Sequence, residues 1–151
     1  MSVRINILDA LYAHLANVEG DDYVELKSEG NGSVAFEDLV ADTGAHFKIG
    51  SESSSNSNGQ SLYFLEAPVY LTAYKRYSIP DDPNENDYVE EVTRSDMIEQ
   101  LRVAFGLETI AMCLAGINSL DYVQELESET TSGDMVAVKL ELKIKWHDRR
   151  L

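Results

Sequence analysis

The sequence predicts an α+β domain, with one mixed or antiparallel sheet, helices packed on one face of that sheet, and a C-terminal β-hairpin. Three patterns within the 151 residues support this prediction. Within 135–146 every even-numbered residue is apolar and residues 139, 141, 143 and 145 are charged, aromatic and β-branched residues dominate 62–79, and apolar residues recur three and four positions apart over 3–19 and again after 93. A period of two indicates a half-buried strand, and spacings of three and four indicate one face of a helix. A single sheet covered by helices is the simplest arrangement that buries both.

The first helix is expected over residues 3–19. Ser2 is suited to cap its start, and Gly20 can adopt the left-handed conformation that ends a helix. Its apolar face is predicted to contain Ile5, Leu8, Leu11, Leu15 and Val18.

The segment from Tyr23 to residue 61 carries weaker signals. Residues 23–28 are a short strand candidate, and the Asp-Thr-Gly triplet at 42–44 is expected to form a turn between strands at 34–36 and 46–49. Residues 51–60 are rich in Ser and Asn, which cannot bury apolar surface. They are predicted to form a mobile loop between two strands.

The strand predicted over 62–79 has two distinct faces. Val69 and Leu71 should share one face and Tyr70 the other, while Pro68 should mark a strand edge or a bulge. The stretch 80–91 contains two prolines and many charges. Residues 81–91 within it are predicted to form a second mobile loop.

A second helix is predicted to start at Thr93, which has capping-box spacing to Asp96. Gly106 is a possible break and Gly116 a plausible end. Its buried face should contain Met97, Leu101, Ala104 and Phe105.

The last strand is the strongest prediction. Residues 135–146 should lie in the body of the sheet with their even-numbered side chains in the core, including Trp146. Residues 122–128 are the expected hairpin partner, joined through a turn at 132–134. The whole chain, 1–151, is thus interpreted as a single domain.

The charge of the chain restricts its partners. A net charge of −15 argues against direct binding to nucleic acid and to anionic membranes. Residues 135–151 carry +3, which leaves −18 on the rest. This basic end is therefore a candidate surface for a subunit or partner, and the 81–91 segment is a candidate acidic one. The candidate residues are Lys139, Lys143, Lys145, Arg149 and Arg150 on the basic side, and Asp81, Asp82, Glu85 and Asp87 on the acidic side.

No catalytic, cofactor-binding or metal-binding residue is predicted. His14, His46 and His147 lie far apart in sequence, and none has a second ligand at metal-binding spacing. Cys113 lies in an apolar run and is expected to be a buried, inert thiol. The first 15 residues lack a signal-peptide pattern, and no run approaches the ~18 apolar residues of a membrane span. We therefore expect a protein that is not an enzyme and has no cofactor.

The order of elements resembles that of tail terminator (tail completion) proteins of long-tailed bacteriophages. An N-terminal amphipathic helix leads to APVYLTAYKRY, then to TRSDMIEQLRVAF, and then to a hairpin of VQELES and VKLELKIKW. This resemblance implies an α+β subunit of a hexameric ring in the virion, which caps the tail tube and meets the head-side connector. It further implies that DNA is only passing cargo, and that the carboxylates of 81–87 would line an acidic lumen.

Two other classes fit the sequence. Another phage neck or head-completion protein would show a similar order of elements. A soluble acidic inhibitor that mimics DNA would use the −18 over residues 1–134 to imitate phosphate charge. Such a mimic should carry carboxylates along exposed faces of regular elements, whereas the sequence suggests that many lie in loops.

Overall fold

A mixed sheet with two helices is the framework of the protein. The computed structural model describes residues 3–26, 41–56, 62–106, 117–127 and 134–149. The helices are α1 (Val3–His14) and α2 (Asn86–Phe105), and the strands are β1 (Val24–Glu25), β2 (Thr43–Ile49), β3 (Ser53–Asn56), β4 (Leu62–Arg76), β5 (Ile117–Leu126) and β6 (Met135–Arg149).

The strands of the described residues follow the order β1-β2-β4-β6-β5, and β3 pairs with the first part of β4 on the side of β2. β1 runs parallel to β2, and the other pairs are antiparallel. β5 and β6 form the C-terminal hairpin. The predicted α+β class with a mixed sheet is therefore confirmed.

Both helices pack on the same face of the sheet. Ile7 and Leu11 of α1 share one hydrophobic core with Met97 and Leu101 of α2, and all four are almost fully buried. From β6 the same core receives Val136, Val138, Leu140, Leu142, Ile144 and Trp146. The predicted inward register of this strand is confirmed, because β6 lies between β4 and β5 and its even-numbered side chains are buried.

The first helix is shorter than predicted, and its predicted inward face is confirmed at Leu11, Leu15 and Val18, with Leu8 packed against the core. α1 ends at His14, a 3₁₀ turn follows over Leu15–Asn17, and Gly20 has a φ of 111°. Ile5 was expected in the core but is exposed, and Ile7 and Tyr12 are buried instead. Tyr12 is therefore a buried residue that the apolar spacing had not placed on the inward face of the helix.

Both predicted loops contain regular structure. Ser53–Asn56 is the strand β3, whereas 57–60 lie outside the described residues. α2 begins at Asn86 rather than Thr93, so the predicted loop 81–91 reduces to a bend and a 3₁₀ turn over Pro83–Glu85. Thr93 is inside the helix, where its hydroxyl donates to the carbonyl of Val89 at 2.8 Å, and it does not cap.

The Asp-Thr-Gly triplet is not a turn, because Thr43 and Gly44 begin β2. The predicted strands at 34–36, the turn at 132–133, and Cys113 and Gly116 lie outside the described residues. The predicted faces of β4 are confirmed, with Val69 and Leu71 in the core and Tyr70 on the other side.

Pro68 lies beside the break between β2 and β3. Its carbonyl accepts a hydrogen bond from the backbone nitrogen of Gly50 at 2.8 Å. The nitrogen and carbonyl of one strand residue point to the same side. The missing N–H of Pro68 therefore faces this irregular stretch, where no strand hydrogen bond requires a donor.

Candidate interaction faces

The sheet face opposite the helices carries the predicted basic residues. Even-numbered side chains of β6 point into the core, so Lys139, Lys143 and Lys145 point away from it. We call the part of this side that holds these lysines the open face. Towards the start of β6 the same side is covered, because Leu26, Tyr74, Met135 and Ala137 form a second buried cluster there. The open face also contains Tyr70, which lies on β4 directly opposite Glu141.

Two of the three lysines have partners on the open face. The Nζ atom of Lys143 is 3.2 Å from Oε2 of Glu66, and the two side chains are less than half exposed. The Nζ atom of Lys139 lies 5.3 Å from the centroid of the Tyr70 ring, a cation–π distance. Lys145 is exposed and has no ion-pair partner among the described residues. It is therefore the most available charge for an external carboxylate.

The other two predicted basic residues are not placed. Arg149 is the last residue of β6, but its side chain is outside the described part, as is the whole of Arg150. Lys48 belongs to the same face and was missed. It lies opposite Tyr70 in the ladder between β2 and β4, and it is exposed. Only the pairing register reveals this, because the sequence around 34–50 had no clear period.

A cleft of about 300 Å³ lies at the end of the open face. Phe64 lines it and is 45% exposed, with its ring 4.4 Å from that of His147 in an edge-on arrangement. Lys145, Asn118 and Glu66 contribute polar groups to its walls. An exposed aromatic ring beside a cation is suited to hold an apolar side chain next to a carboxylate.

The acidic candidates lie at the start of α2, on the other side of the sheet. Asp81, Asp82, Glu85 and Asp87 are all exposed, and none forms an ion pair with a described residue. The Oδ1 atom of Asp82 accepts a hydrogen bond from the backbone nitrogen of Asn84 at 2.9 Å. Carboxylates in this position stabilise the positive end of a helix dipole, which explains why an acidic segment with Pro83 is helical.

α2 extends the acidic surface. Residues 81–105 include eight carboxylates and two arginines. Exposed apolar side chains accompany them, since Tyr88 is 73% exposed and Val92 is 42% exposed. The protein therefore has an acidic surface with exposed apolar side chains on the helix side, whereas the open face mixes its lysines with Glu66, Asp121 and Glu141.

Two of the three histidines, His14 and His46, are buried. The Nε2 atom of His14 is 2.8 Å from the carbonyl of Ala104, and its Nδ1 is 2.9 Å from the Asn17 amide. Nδ1 of His46 is 3.0 Å from the Tyr12 hydroxyl. No three His, Cys, Asp or Glu side chains of the described ranges converge on a point where they would hold a metal ion. Within those ranges, neither helix is long and apolar enough to cross a bilayer.

A scan against models of known protein families finds no match, and a search of curated proteins finds no relative of this chain.

Proposed function

We propose that this chain is a structural virion protein that forms a ring of the tail terminator type at the head-proximal end of a phage tail tube. It caps the tube and joins it to the head-side connector. The observation that supports the proposal is the difference in charge between the two sides of the sheet, since the α2 side is strongly acidic and the open face carries lysines among fewer carboxylates. Unlike surfaces on one subunit make head-to-tail contacts, and such contacts close into rings when the rotation between copies closes.

In this ring the open face of one copy meets the α2 surface of the next. Lys145, without a described partner, approaches the carboxylates at the start of α2. Charge complementarity sets the orientation of the copies, while apolar burial supplies most of the affinity. Phe64 on the open face and Tyr88 and Val92 on α2 are exposed apolar side chains suited to that burial.

The ring has no catalytic task. Its subunits present one end to the tube protein and another to the connector, and they are assembled in the host cytoplasm. Carboxylates of 81–87 that remain outside the subunit contacts face the lumen. They repel DNA, which then passes without adhering to the wall.

The structure gives the inhibitor class one specific observation in its favour. Asp87, Glu90 and Glu91 lie on a regular helix rather than in a loop, as a DNA mimic requires. This second candidate predicts a monomer that binds a DNA-binding enzyme in a salt-sensitive manner. The ring proposal predicts self-association instead, so the two are separated by the oligomeric state.

The test is incubation with tubes assembled from the cognate tube protein, followed by electron microscopy of the tube ends and mass photometry of the free protein. We expect capped tubes that stop lengthening, and a hexamer either in solution or on the tube. Tubes that stay bare and continue to lengthen would eliminate the terminator assignment. Binding to the connector alone would then identify a neck protein.

A matched pair of variants tests the surface. Lys145→Glu reverses a charge on the open face, and Arg102→Glu makes the same reversal on the exposed surface of α2. We expect Lys145→Glu to weaken ring formation roughly tenfold, the effect of one unfavourable interfacial charge pair. Arg102→Glu makes the α2 surface that meets the open face more acidic, and it should not weaken ring formation. Equal ring formation by both variants and the parent protein would show that the open face is not the contact.

A further inference from the structure

The two edges of the sheet differ in how their backbone groups are satisfied. On the β2 edge, the Tyr12 hydroxyl accepts from the backbone nitrogen of Phe47 at 3.0 Å. The guanidinium of Arg4 donates to the carbonyls of Ile49 at 3.2 Å and Gly50 at 3.0 Å. The backbone groups that β1 leaves uncovered are therefore occupied by side chains of α1, and this edge offers little to another strand.

The opposite edge is open. β5 has ten residues and pairs only with β6 among the described strands. No described residue donates to or accepts from its outward backbone groups. About half of the N–H and C=O groups of an edge strand point outward. Register shifts between Ile117 and Ser119 and between Tyr122 and Gln124 divide this row, and 119–122 is its longest regular stretch. That stretch is a template for the addition of another strand.

α2 forms a wall beside this edge. The Cζ atom of Arg102 lies 5.6 Å from the centroid of the Tyr122 ring. Nη1 of Arg94 lies 3.9 Å from Oε1 of Glu125. An open hollow of about 430 Å³ is lined by Arg94, Glu125, Leu126 and Glu127. An edge strand next to a helix is the arrangement in which an extended peptide adds to a sheet.

The charge of the edge determines what can add to it. Residues 117–127 contain Asp121, Glu125 and Glu127 and no lysine or arginine. Two copies of β5 paired with each other would bring like charges together, which is destabilising. Asp121 lies opposite Lys143 and points to the open-face side, whereas Glu125 lies opposite Leu140 and points toward α2, where Arg94 contacts it. A basic strand would place a row of cations on the open-face side, next to Asp121. Val123, 45% exposed, offers an apolar contact beside it.

We propose that β5 accepts, by strand addition, an extended segment of a partner protein in which lysine or arginine alternates with β-branched residues. Backbone hydrogen bonds to the open edge provide the affinity, and Asp121 provides the selectivity. The backbone contacts lie along the edge of the sheet, beside the open face, and do not depend on ring formation.

The test uses an octapeptide of alternating lysine and valine, acetylated and amidated, titrated into the isotopically labelled protein. We expect amide shifts and slower hydrogen exchange along β5. The control is the same peptide methylated at every backbone nitrogen, which keeps the charge but donates no hydrogen bond. It should bind roughly tenfold or more weakly, because several backbone hydrogen bonds are lost. Equal binding, or shifts confined to α2, would overturn the proposal.

A second arm uses the protein. Asp121→Asn should weaken peptide binding several-fold, whereas Glu99→Gln, an equal charge change on an exposed position of α2, should not. Equal losses in the two variants would show that only the net charge matters and would overturn the proposal. The last measurement compares the sedimentation of the parent protein and of the Asp121→Asn variant, both without peptide. Self-association accompanied by slower hydrogen exchange along β5 would mean that β5 pairs with a second copy, which also contradicts the assignment.

Discussion

The Tyr12 hydroxyl lies 3.0 Å from Nδ1 of His46 and 3.0 Å from the backbone nitrogen of Phe47. The Phe47 N–H donates to the hydroxyl, so the hydroxyl proton is free to point at Nδ1, which is nearer than the Phe47 carbonyl at 3.5 Å. A neutral His46 that accepts at Nδ1 carries its own proton on Nε2, which is buried and has no hydrogen-bond partner among the described residues. One side chain of α1 thus satisfies the backbone of β2 and fixes the state of a buried histidine.

Replacing Tyr12 with phenylalanine should destabilise the fold. The change leaves the Phe47 N–H and Nδ1 of His46 without partners in a buried site, and each unsatisfied group costs about 1–3 kcal/mol. We expect a loss of about 2 kcal/mol or more in the free energy of unfolding, measured by urea denaturation. Tyr88→Phe is the control, because Tyr88 is 73% exposed and should change stability little. Equal stabilities of the two variants would contradict the role of the hydroxyl.

The stability of the protein should fall as the pH drops below about 6.5. Burial, and secondarily the charge of Lys48, hold the pKa of His46 below its usual value of 6.5. Above that value His46 is neutral in both states and contributes no pH dependence. Below it the unfolded chain binds a proton that the folded protein resists, so unfolding becomes more favourable. Urea denaturation between pH 7.5 and 5 measures this slope.

The His46→Asn variant isolates the histidine contribution. The side-chain oxygen of asparagine can still accept from the Tyr12 hydroxyl, but it does not titrate. We expect a flatter dependence of the unfolding free energy on pH than in the parent protein. An identical slope would assign the pH dependence to other groups.

The long elements could be predicted from sequence because local pattern and tertiary packing agree in them. β6 alternates over its core segment, and Met97 and Leu101 are spaced as one helix face. β3 was missed because Ser53–Asn56 has little strand propensity, and its conformation comes from pairing with β4. The start of α2 was missed because its first two turns are exposed and acidic, so no apolar period marks them.

The candidate faces were predictable only in part. The alternation in β6 placed Lys139 and Lys143 on one side correctly, since side-chain direction follows from the period. Lys48 depends on the register of β2 against β4, which is a long-range property. The open edge of β5 likewise cannot be predicted from the sequence. It depends on the order of the strands in the sheet, in which β6 is the only described neighbour of β5.

Leu140→Asp should abolish soluble folding. Leu140 is fully buried in the main core, and the substitution places an unpaired charge there. Lys143→Asp is the neighbouring control, since it replaces a half-exposed ion pair with Glu66, worth about 0–1 kcal/mol, by a like-charge contact of similar size that water screens. Soluble yield and circular dichroism distinguish the two. A stable Leu140→Asp protein would show that the register of β6 is wrong.

Limited digestion with a glutamate-specific protease should distinguish the acidic residues in turns from those inside α2. Glu52 and Glu85 are exposed and lie outside α-helix and strand, whereas Glu90, Glu91 and Glu99 are within α2. Cleavage requires local opening, which costs more inside a packed helix than in a turn. We expect mass spectrometry to detect cuts after Glu52 and Glu85 before cuts in α2. Early cleavage after Glu99 would contradict the helix.

Gly44→Ala should destabilise the protein even though Gly44 is in a strand, where alanine is normally tolerated. A Cβ atom at this position would lie 3.0 Å from Cζ of Tyr74 and closer still to its Cε1. The ring cannot move freely, because Tyr74 is fully buried and its hydroxyl donates to the Ala41 carbonyl at 2.9 Å. Overpacking of this kind costs about 1–3 kcal/mol.

The same clash explains why position 44 is a glycine even though it lies in a strand and not in a turn. It also predicts coupling between the two positions, because Tyr74→Leu removes the ring atoms that the new methyl group meets. The double variant should therefore be less destabilised than the sum of the two single variants, by an interaction energy of about 0.5–3 kcal/mol. Urea denaturation of all four proteins completes the cycle. Strict additivity would mean that the cost of Gly44→Ala arises from the backbone of β2 and not from contact with Tyr74.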